Sequence, residues 1–379
     1  MESLKIAFFS WESLYAERVG GLASAATNLA ESIAKNHEVH FFTRGWMSDQ
    51  TINNVHYHYC QPHGNNTVQY CDDMCYAMVD QFHRFDKEGA FDYLHFHDWH
   101  VIQALHFLQD RNTILTYHST EFGRNGNQFG DWQEYRDISG REWYGGLIAK
   151  RVTTVSTTMK NEIMQLYNVP DWKCDVVVNG VVPRQYRANI DPGEVKHSYG
   201  IHPYAPLILF VGRLSYQKGP DLFIDAIRDV CQYRWDAKVI VAGDGGMRHY
   251  LQERAYGLPI NFIGYIPDSE YIRLLNACNF VVIPSRNEPF GLVLLEAWSA
   301  EKAVVASNVG GLSENIDPFV NGIKVEPMTQ SLTWGINNLV NDSDTADRLG
   351  RRGRAKVDRM FLWDPIAKNM TDTYSRVVA

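Results

Sequence analysis

The stretch that decides the reading is PSRNEPFGLVLLEA, Pro284–Ala297. It follows a short apolar run, NFVVI (Asn279–Ile283), with the length and composition of a buried strand. It leads into LVLLEAWSA, whose apolar spacing is helical. Pro289 and Gly291 interrupt the chain between the two and set a tight loop. Glu288 falls in that loop and Glu296 inside the helix. The amides of Phe290, Gly291 and Leu292 then stand at a helix N-terminus. Unpaired N–H groups and the helix dipole stabilise an anion there. An anion site flanked by two carboxylates suits a ligand with phosphates and many hydroxyls.

Outward from this stretch, strand-like apolar runs alternate with helix-like ones for most of the chain. That alternation implies an α/β fold with doubly wound parallel sheets. KIAFF (Lys5–Phe9), EVHFFT (Glu38–Thr43), YLHFHD, TILTYH, VTTVS and DVVVNG (Asp175–Gly180) form a first series. GLASAATNLAESIAKN reads as its first helix, with Leu22, Ala25, Ala26, Leu29 and Ile33 on one face. Residues 182–206 are rich in Pro, Gly and charge and read as a connection. A second series runs through LILFVG (Leu207–Gly212), AKVIVAG, INFIG, NFVVIP and AVVAS. The expected organisation is two Rossmann-like domains, 1–190 and 191–360, with a last helix over 361–379. Ligands of open parallel sheets bind outside the carboxyl ends of the strands, and two such domains facing each other would form a cleft.

Other polar motifs sit at expected strand ends. RVGGL (Arg18–Leu22) puts Gly20 and Gly21 at a helix start, where backbone can approach a phosphate closely. HFHDWH (His95–His100) ends a strand with Asp98. TYHSTEFGR (Thr116–Arg124) puts His118 at another strand end, followed by Glu121 and Arg124. FVGRLSYQKG (Phe210–Gly219) carries Arg213 and Lys218 in one loop, two cations suited to a diphosphate. VAGDGG (Val241–Gly246) fails as a dinucleotide fingerprint, because Arg248 stands where the third glycine belongs. ASNVGGLSENI (Ala306–Ile316) has Gly310 and Gly311 for a further close backbone approach.

E-P-F-G-L-x-x-x-E, together with G-R-L-x-x-x-K-G and H-D-W-H, resembles the signature of the retaining family 4 glycosyltransferases, which have the GT-B fold. The chain is most similar in pattern to glycogen and starch synthases. The resemblance covers nearly its whole length, but it is shorter than typical bacterial synthases and has Arg18 where they usually have Lys. It implies hexose transfer from a nucleotide sugar to a saccharide, with retention and without metal or other cofactor. Glu288 would bind sugar hydroxyls and stabilise positive charge at the anomeric centre. Glu296 would accept from the ribose. Arg213 and Lys218 would meet the leaving diphosphate. His118 would orient the sugar. Gly20, Gly21, Gly243 and the amides of Phe290, Gly291 and Leu292 would contact the donor, with Tyr265 beside the base. Asp98, Arg18, Glu121 and Arg124 would lie on the acceptor side.

Composition narrows the alternatives. A net charge of −8 and a pI near 6.0 argue against a nucleic-acid binder. MESLKIAFFSWE lacks a signal-peptide pattern, and no apolar run reaches the ~18 residues of a membrane span, so a cytoplasmic protein with six reduced cysteines is expected. The His56–Cys75 stretch has no C-x2-C spacing and reads as strand and loop rather than a metal site. The only D-x-D, Asp342–Asp344, reads as a surface loop. Rival readings are a mannosyl or other hexosyl transferase for a surface polysaccharide or lipid-linked acceptor, a sugar-nucleotide epimerase, and a non-catalytic sugar-nucleotide sensor. Nucleotide base, sugar, acceptor and oligomeric state stay open.

Overall fold

The computed structural model describes residues 3–64, 66–87 and 90–377. The chain forms two compact units. Unit 1 runs to Phe122 and continues through Phe129–Gly180 and from Trp363 onward; unit 2 is Gly123–Gln128 and Val181–Leu362. The expected limits were 190 and 360. The chain passes between units ten residues before the first and two after the second. Backbone pairing explains the positions. The Val181 N–H donates to the Phe361 carbonyl at 2.8 Å within unit 2. Within unit 1, the Trp363 indole fills the space a side chain at Gly180 would need.

Unit 1 contains a sheet of eight described strands: β1 (Lys5–Ser10), β2 (Glu38–Arg44), β3 (Gln50–Ile52), β4 (Val55–Cys60), β5 (Tyr93–His97), β6 (Thr113–Tyr117), β7 (Arg151–Thr154) and β8 (Cys174–Val176). Their order is β3-β4-β2-β1-β5-β6-β7-β8. All neighbours are parallel except β3 and β4. Such strands are buried on both faces and read as continuous apolar runs. Phe8, Phe9, Phe41, Phe42 and Phe96 have no exposed surface, and the rings of Phe9 and Phe96 stack at 4.5 Å. Helix Gly21–Ile33 buries the expected Leu22, Ala25, Ala26, Leu29 and Ile33. It packs against the last helix, Trp363–Tyr374. Val378 and Ala379, the end of the helix expected over 361–379, lie outside the described residues.

Unit 2 contains six parallel described strands: β9 (Leu207–Val211), β10 (Lys238–Ala242), β11 (Ile260–Gly264), β12 (Phe280–Ile283), β13 (Ala303–Ser307) and β14 (Ile323–Val325). Their order is β11-β10-β9-β12-β13-β14. Each sheet therefore has one place where the strand order reverses, between β1 and β5 in unit 1 and between β9 and β12 in unit 2. Chains leave neighbouring strands in opposite directions there and open a crevice at the carboxyl ends.

Two sequence expectations change. Cys71 and Cys75 are on a 19-residue helix, Thr67–Phe85, rather than in a loop. Asn66 caps it by accepting the Gln69 N–H, and Cys71, Met74, Cys75, Met78 and Phe82 form its buried face. The sulfurs are thus packing atoms one helical turn apart. Asp342 likewise begins a helix, Ser343–Met360, and accepts the Thr345 N–H at 2.9 Å. Among the described residues, no helix is long and apolar enough to cross a membrane.

Candidate active site

Of the unit 2 residues singled out from sequence, Arg213 and Lys218 follow β9 and Glu288 and the Phe290–Leu292 segment follow β12, the strands of the switch point, whereas Gly243 and Tyr265 follow β10 and β11. The Lys218 ammonium sits 2.9 and 2.8 Å from the two Glu288 oxygens. Ser285 Oγ donates to Glu288 Oε2 at 2.9 Å. Glu288 is 9% exposed, so this carboxylate is largely out of water and its hydrogen bonds fix it in one orientation. Helix Leu292–Ser299 begins beside it, with Gly291 at the cap in a left-handed conformation (φ 95°). Neither a capping side chain nor an acid in the first turn occupies that helix start among the described residues. The Phe290, Gly291 and Leu292 amides are thus grouped with a cation and a carboxylate.

The next loop holds Glu288 in place. The Gly311 N–H donates to the Glu288 carbonyl at 2.9 Å. Gly310 (φ 47°) lies so close that any Cβ would overlap the same carbonyl oxygen. The close approach expected of Gly310 and Gly311 is therefore to the Glu288 loop. Gly243 behaves similarly: at φ 137° it packs against the Gly212 carbonyl, joining the loops after β10 and β9.

Arg213 is exposed and its Nη2 donates to the buried Gln217 side-chain oxygen at 3.2 Å. Arg286 forms a two-pronged pair with Asp221 at 2.8 and 2.6 Å and lies 3.9 Å from the Tyr216 ring centre. Its N–H donates to the Gln217 carbonyl at 2.7 Å. The Lys218 and Glu288 loops are thereby joined through Arg286 and Gln217, neither of which sequence reasoning singled out. Glu296 accepts from Tyr271 Oη at 2.6 Å and Tyr186 Oη at 3.2 Å. Burial and this carboxylate push the Tyr271 phenol well above its ordinary range, so it stays a donor. The Tyr265 ring, after β11, is 77% exposed.

In unit 1, Gly20 and Gly21 follow β1, Asp98 follows β5 and His118 follows β6. Glu12, which sequence reasoning passed over, accepts the Val19 and Gly20 amides at 2.6 and 2.9 Å. Burial raises its pKa above the ordinary glutamate value, and these two N–H groups partly oppose the rise. Its signal was an acidic residue two positions past a buried strand. Arg18 is exposed. Asp98 is 4% exposed and adopts a positive φ of 61°. Its carboxylate accepts the His118 amide at 2.6 Å and the Ser119 amide at 3.4 Å. It thus holds the turn that carries His118. Desolvation lowers the His118 pKa to about 3, so the ring is neutral at physiological pH. Its Nε2 lies 3.0 Å from His97 Nδ1. The Glu121 N–H donates to the buried Glu142 carboxylate at 2.9 Å, and the Tyr167 hydroxyl donates to the same oxygen. Arg124 lies in the segment that belongs to unit 2.

Residues 19–185 match the family described as Glycosyltransferase Family 4, and residues 194–356 match Glycosyl transferases group 1. An uncharacterised glycosyltransferase of Methanocaldococcus jannaschii is 34% identical over 98% of both chains. The chain belongs to the family 4 glycosyltransferases. A glycogen synthase of Mycobacterium tuberculosis is 27% identical to this glycosyltransferase, over 82% of this chain and 76% of its own. A sucrose-phosphate synthase structure from Thermosynechococcus elongatus superposes with a TM-score of 0.82 and 22% identity over 99% of both chains. That likeness shows a shared GT-B fold.

Proposed function

We propose that this glycosyltransferase moves a hexose, glucose from ADP- or UDP-glucose in the first reading, to a glucan or other saccharide with retention and without metal. The observation that carries it is the Lys218–Glu288 pair beside an open helix start at the unit 2 switch point. A cation suits the β-phosphate, and a fixed carboxylate suits sugar hydroxyls and an oxocarbenium-like centre. Arg213 and the Phe290, Gly291 and Leu292 amides share the diphosphate charge. Glu296, held by its tyrosines, receives the ribose. Gly21, Gly243 and Tyr265 complete the donor side, and Gly20 does so insofar as Glu12 releases its amide. His118 hydrogen-bonds the transferred sugar and orients it. Arg18, Glu121 and Arg124 serve the acceptor, and Asp98 acts by holding the His118 turn. The leaving phosphate takes the acceptor proton, so no side-chain base is needed.

A thermal-shift panel of ADP-, UDP- and GDP-sugars tests this. A true donor at 100 times its Kd stabilises the fold by about 2.7 kcal/mol. Release of nucleoside diphosphate is then measured with glucan present. If no nucleotide sugar shifts the melt, the reading fails; a shift with no diphosphate release from any acceptor points to the sensor reading.

One observation favours a second reading, transfer of mannose or another hexose to a lipid-linked acceptor. Unit 1 has a mainly apolar pocket of about 270 Å³ lined by Phe122, Phe129, Tyr135, Trp143, Leu166 and Tyr167. Gly140 lies mid-helix at its wall, and among the described residues no atom outside its own helix backbone stands within 4 Å of the place its missing Cβ would take, so no packing contact there explains the absent side chain. Faster transfer to a prenyl-tailed acceptor than to its tail-free form, lost in Trp143→Ser, would select this reading.

A further inference from the structure

His97 is the third residue of HFHDWH, and its chemistry is not absorbed by the roles above. It ends β5 opposite Thr116 on β6, which places it beside the turn into His118. It has no exposed surface and packs between the Phe8 ring at 5.3 Å and the His95 ring at 4.2 Å. Its Nδ1 faces His118 Nε2 at 3.0 Å, with the two rings stacked at 28°. Its other nitrogen, Nε2, is buried without a hydrogen-bond partner among the described residues.

Two facing imidazole nitrogens at this distance share one proton. Burial keeps both rings neutral, so each carries one proton. In one arrangement His118 Nε2–H donates to His97 Nδ1. The His97 proton is then forced onto Nε2, leaving a buried N–H with no acceptor. In the other, His97 Nδ1–H donates to His118 Nε2 and leaves a bare lone pair on His97 Nε2. Among main-chain groups an orphaned buried N–H is rarer than an under-satisfied acceptor, and the same preference carried over to imidazole favours the second arrangement. The second arrangement also puts the His118 proton on Nδ1, which bonds no described protein group.

We infer that His97 is a positioning residue that fixes His118 as its Nδ1–H tautomer, so that His118 offers a sugar oxygen a donor and cannot act as a base. The inference rests on the proposed placing of His118 beside the transferred sugar. It adds the direction of the hydrogen bond: His118 recognises a hydroxyl through the lone pair of its oxygen, and its own lone pair is occupied by His97.

The test is nitrogen NMR on the full chain with 15N-labelled histidine, the His118 signals being assigned by their loss in His118→Ala. The expected spectrum has a protonated Nδ1 and an unprotonated Nε2 on His118. His97→Phe keeps the ring volume and removes the donor. It should move His118 toward the Nε2–H form and lower kcat by about 10- to 100-fold, the scale known for losing the partner that orients a metal-binding histidine, with a smaller change in donor KM. His97→Asn, whose amide nitrogen overlays Nδ1, should recover most of that loss. A protonated Nε2 on wild-type His118, or a His97→Phe protein with unchanged tautomer and kcat, overturns the inference. Should His97→Phe fail to fold, the wild-type spectrum and His97→Asn decide. Wild-type turnover by His118→Ala would instead sink the placing of His118 beside the sugar, whatever tautomer the spectrum shows.

Discussion

Replacing Lys218 with Ala leaves the Glu288 carboxylate without its cation. Two scales bound the stability cost. Exposed ion pairs contribute about 0–1 kcal/mol, and removing one partner of a buried pair costs about 3–5 kcal/mol. Here the side chains are 23% and 11% exposed, between those limits, and Ser285 still donates to Glu288. A loss of about 2 kcal/mol follows, which for a folding unit of this size lowers Tm by roughly 4–8 °C. Catalysis should fall further. Losing one donor to developing charge costs about 10²–10³ in kcat. The two effects separate in a double-mutant cycle with Glu288→Gln. Removing the carboxylate as well should recover most of the lost Tm, because no buried charge is left unpaired. It should not recover turnover. The measurements are differential scanning fluorimetry and nucleoside diphosphate release for all four proteins. A Lys218→Ala protein that melts within 1 °C of wild type and turns over within a few-fold would refute both the pairing energetics and the phosphate role.

Three further outcomes are expected. Gly310→Ala places a Cβ on the Glu288 carbonyl in a left-handed conformation, so it should destabilise unit 2 by about 1–3 kcal/mol. It should also raise the donor KM; an unchanged melt would mean that Gly310 does not set the Glu288 loop. Glu12 has a raised folded pKa, so the folded state binds the extra proton and stability falls as pH rises from the unfolded value toward the raised one. Glu12→Gln keeps an oxygen for the Val19 and Gly20 amides. Its Tm advantage over wild type should therefore be larger at pH 7 than at pH 4, and a pH-independent difference would contradict this. Transfer should persist in EDTA, whereas a strict need for a divalent ion would remove the metal-free mechanism.

The β-strands were legible because parallel strands buried on both faces must be apolar throughout, as in LILFV and AVVAS. β14, three residues long, is too short to carry such a signal. Helix Thr67–Phe85 carries a weak sequence signal because cysteine and methionine share its buried face with Phe82, and cysteines among histidines suggest metal spacing instead. Motif residues could be singled out where type and local spacing suggest a chemistry, as with Arg213, Lys218, Glu288 and Glu296. Partners far apart in sequence were not. Lys218 and Glu288 are 70 positions apart, and Tyr186 and Glu296 are 110 apart.

The sequence by itself determined the strand series, the family and the loop PSRNEPFGLVLLEA as a strand-to-helix turn carrying Glu288. Each of these depends on neighbouring residues and their periodicity. Only the tertiary structure decided what the buried polar groups do. Glu12 occupies the Gly20 amide, Asp98 holds the His118 turn, Gly310 and Gly311 seat the Glu288 carbonyl, and His97 faces His118. A hydrogen bond depends on where the chain returns in space. That position is set by strand order at the two switch points, which no local pattern records.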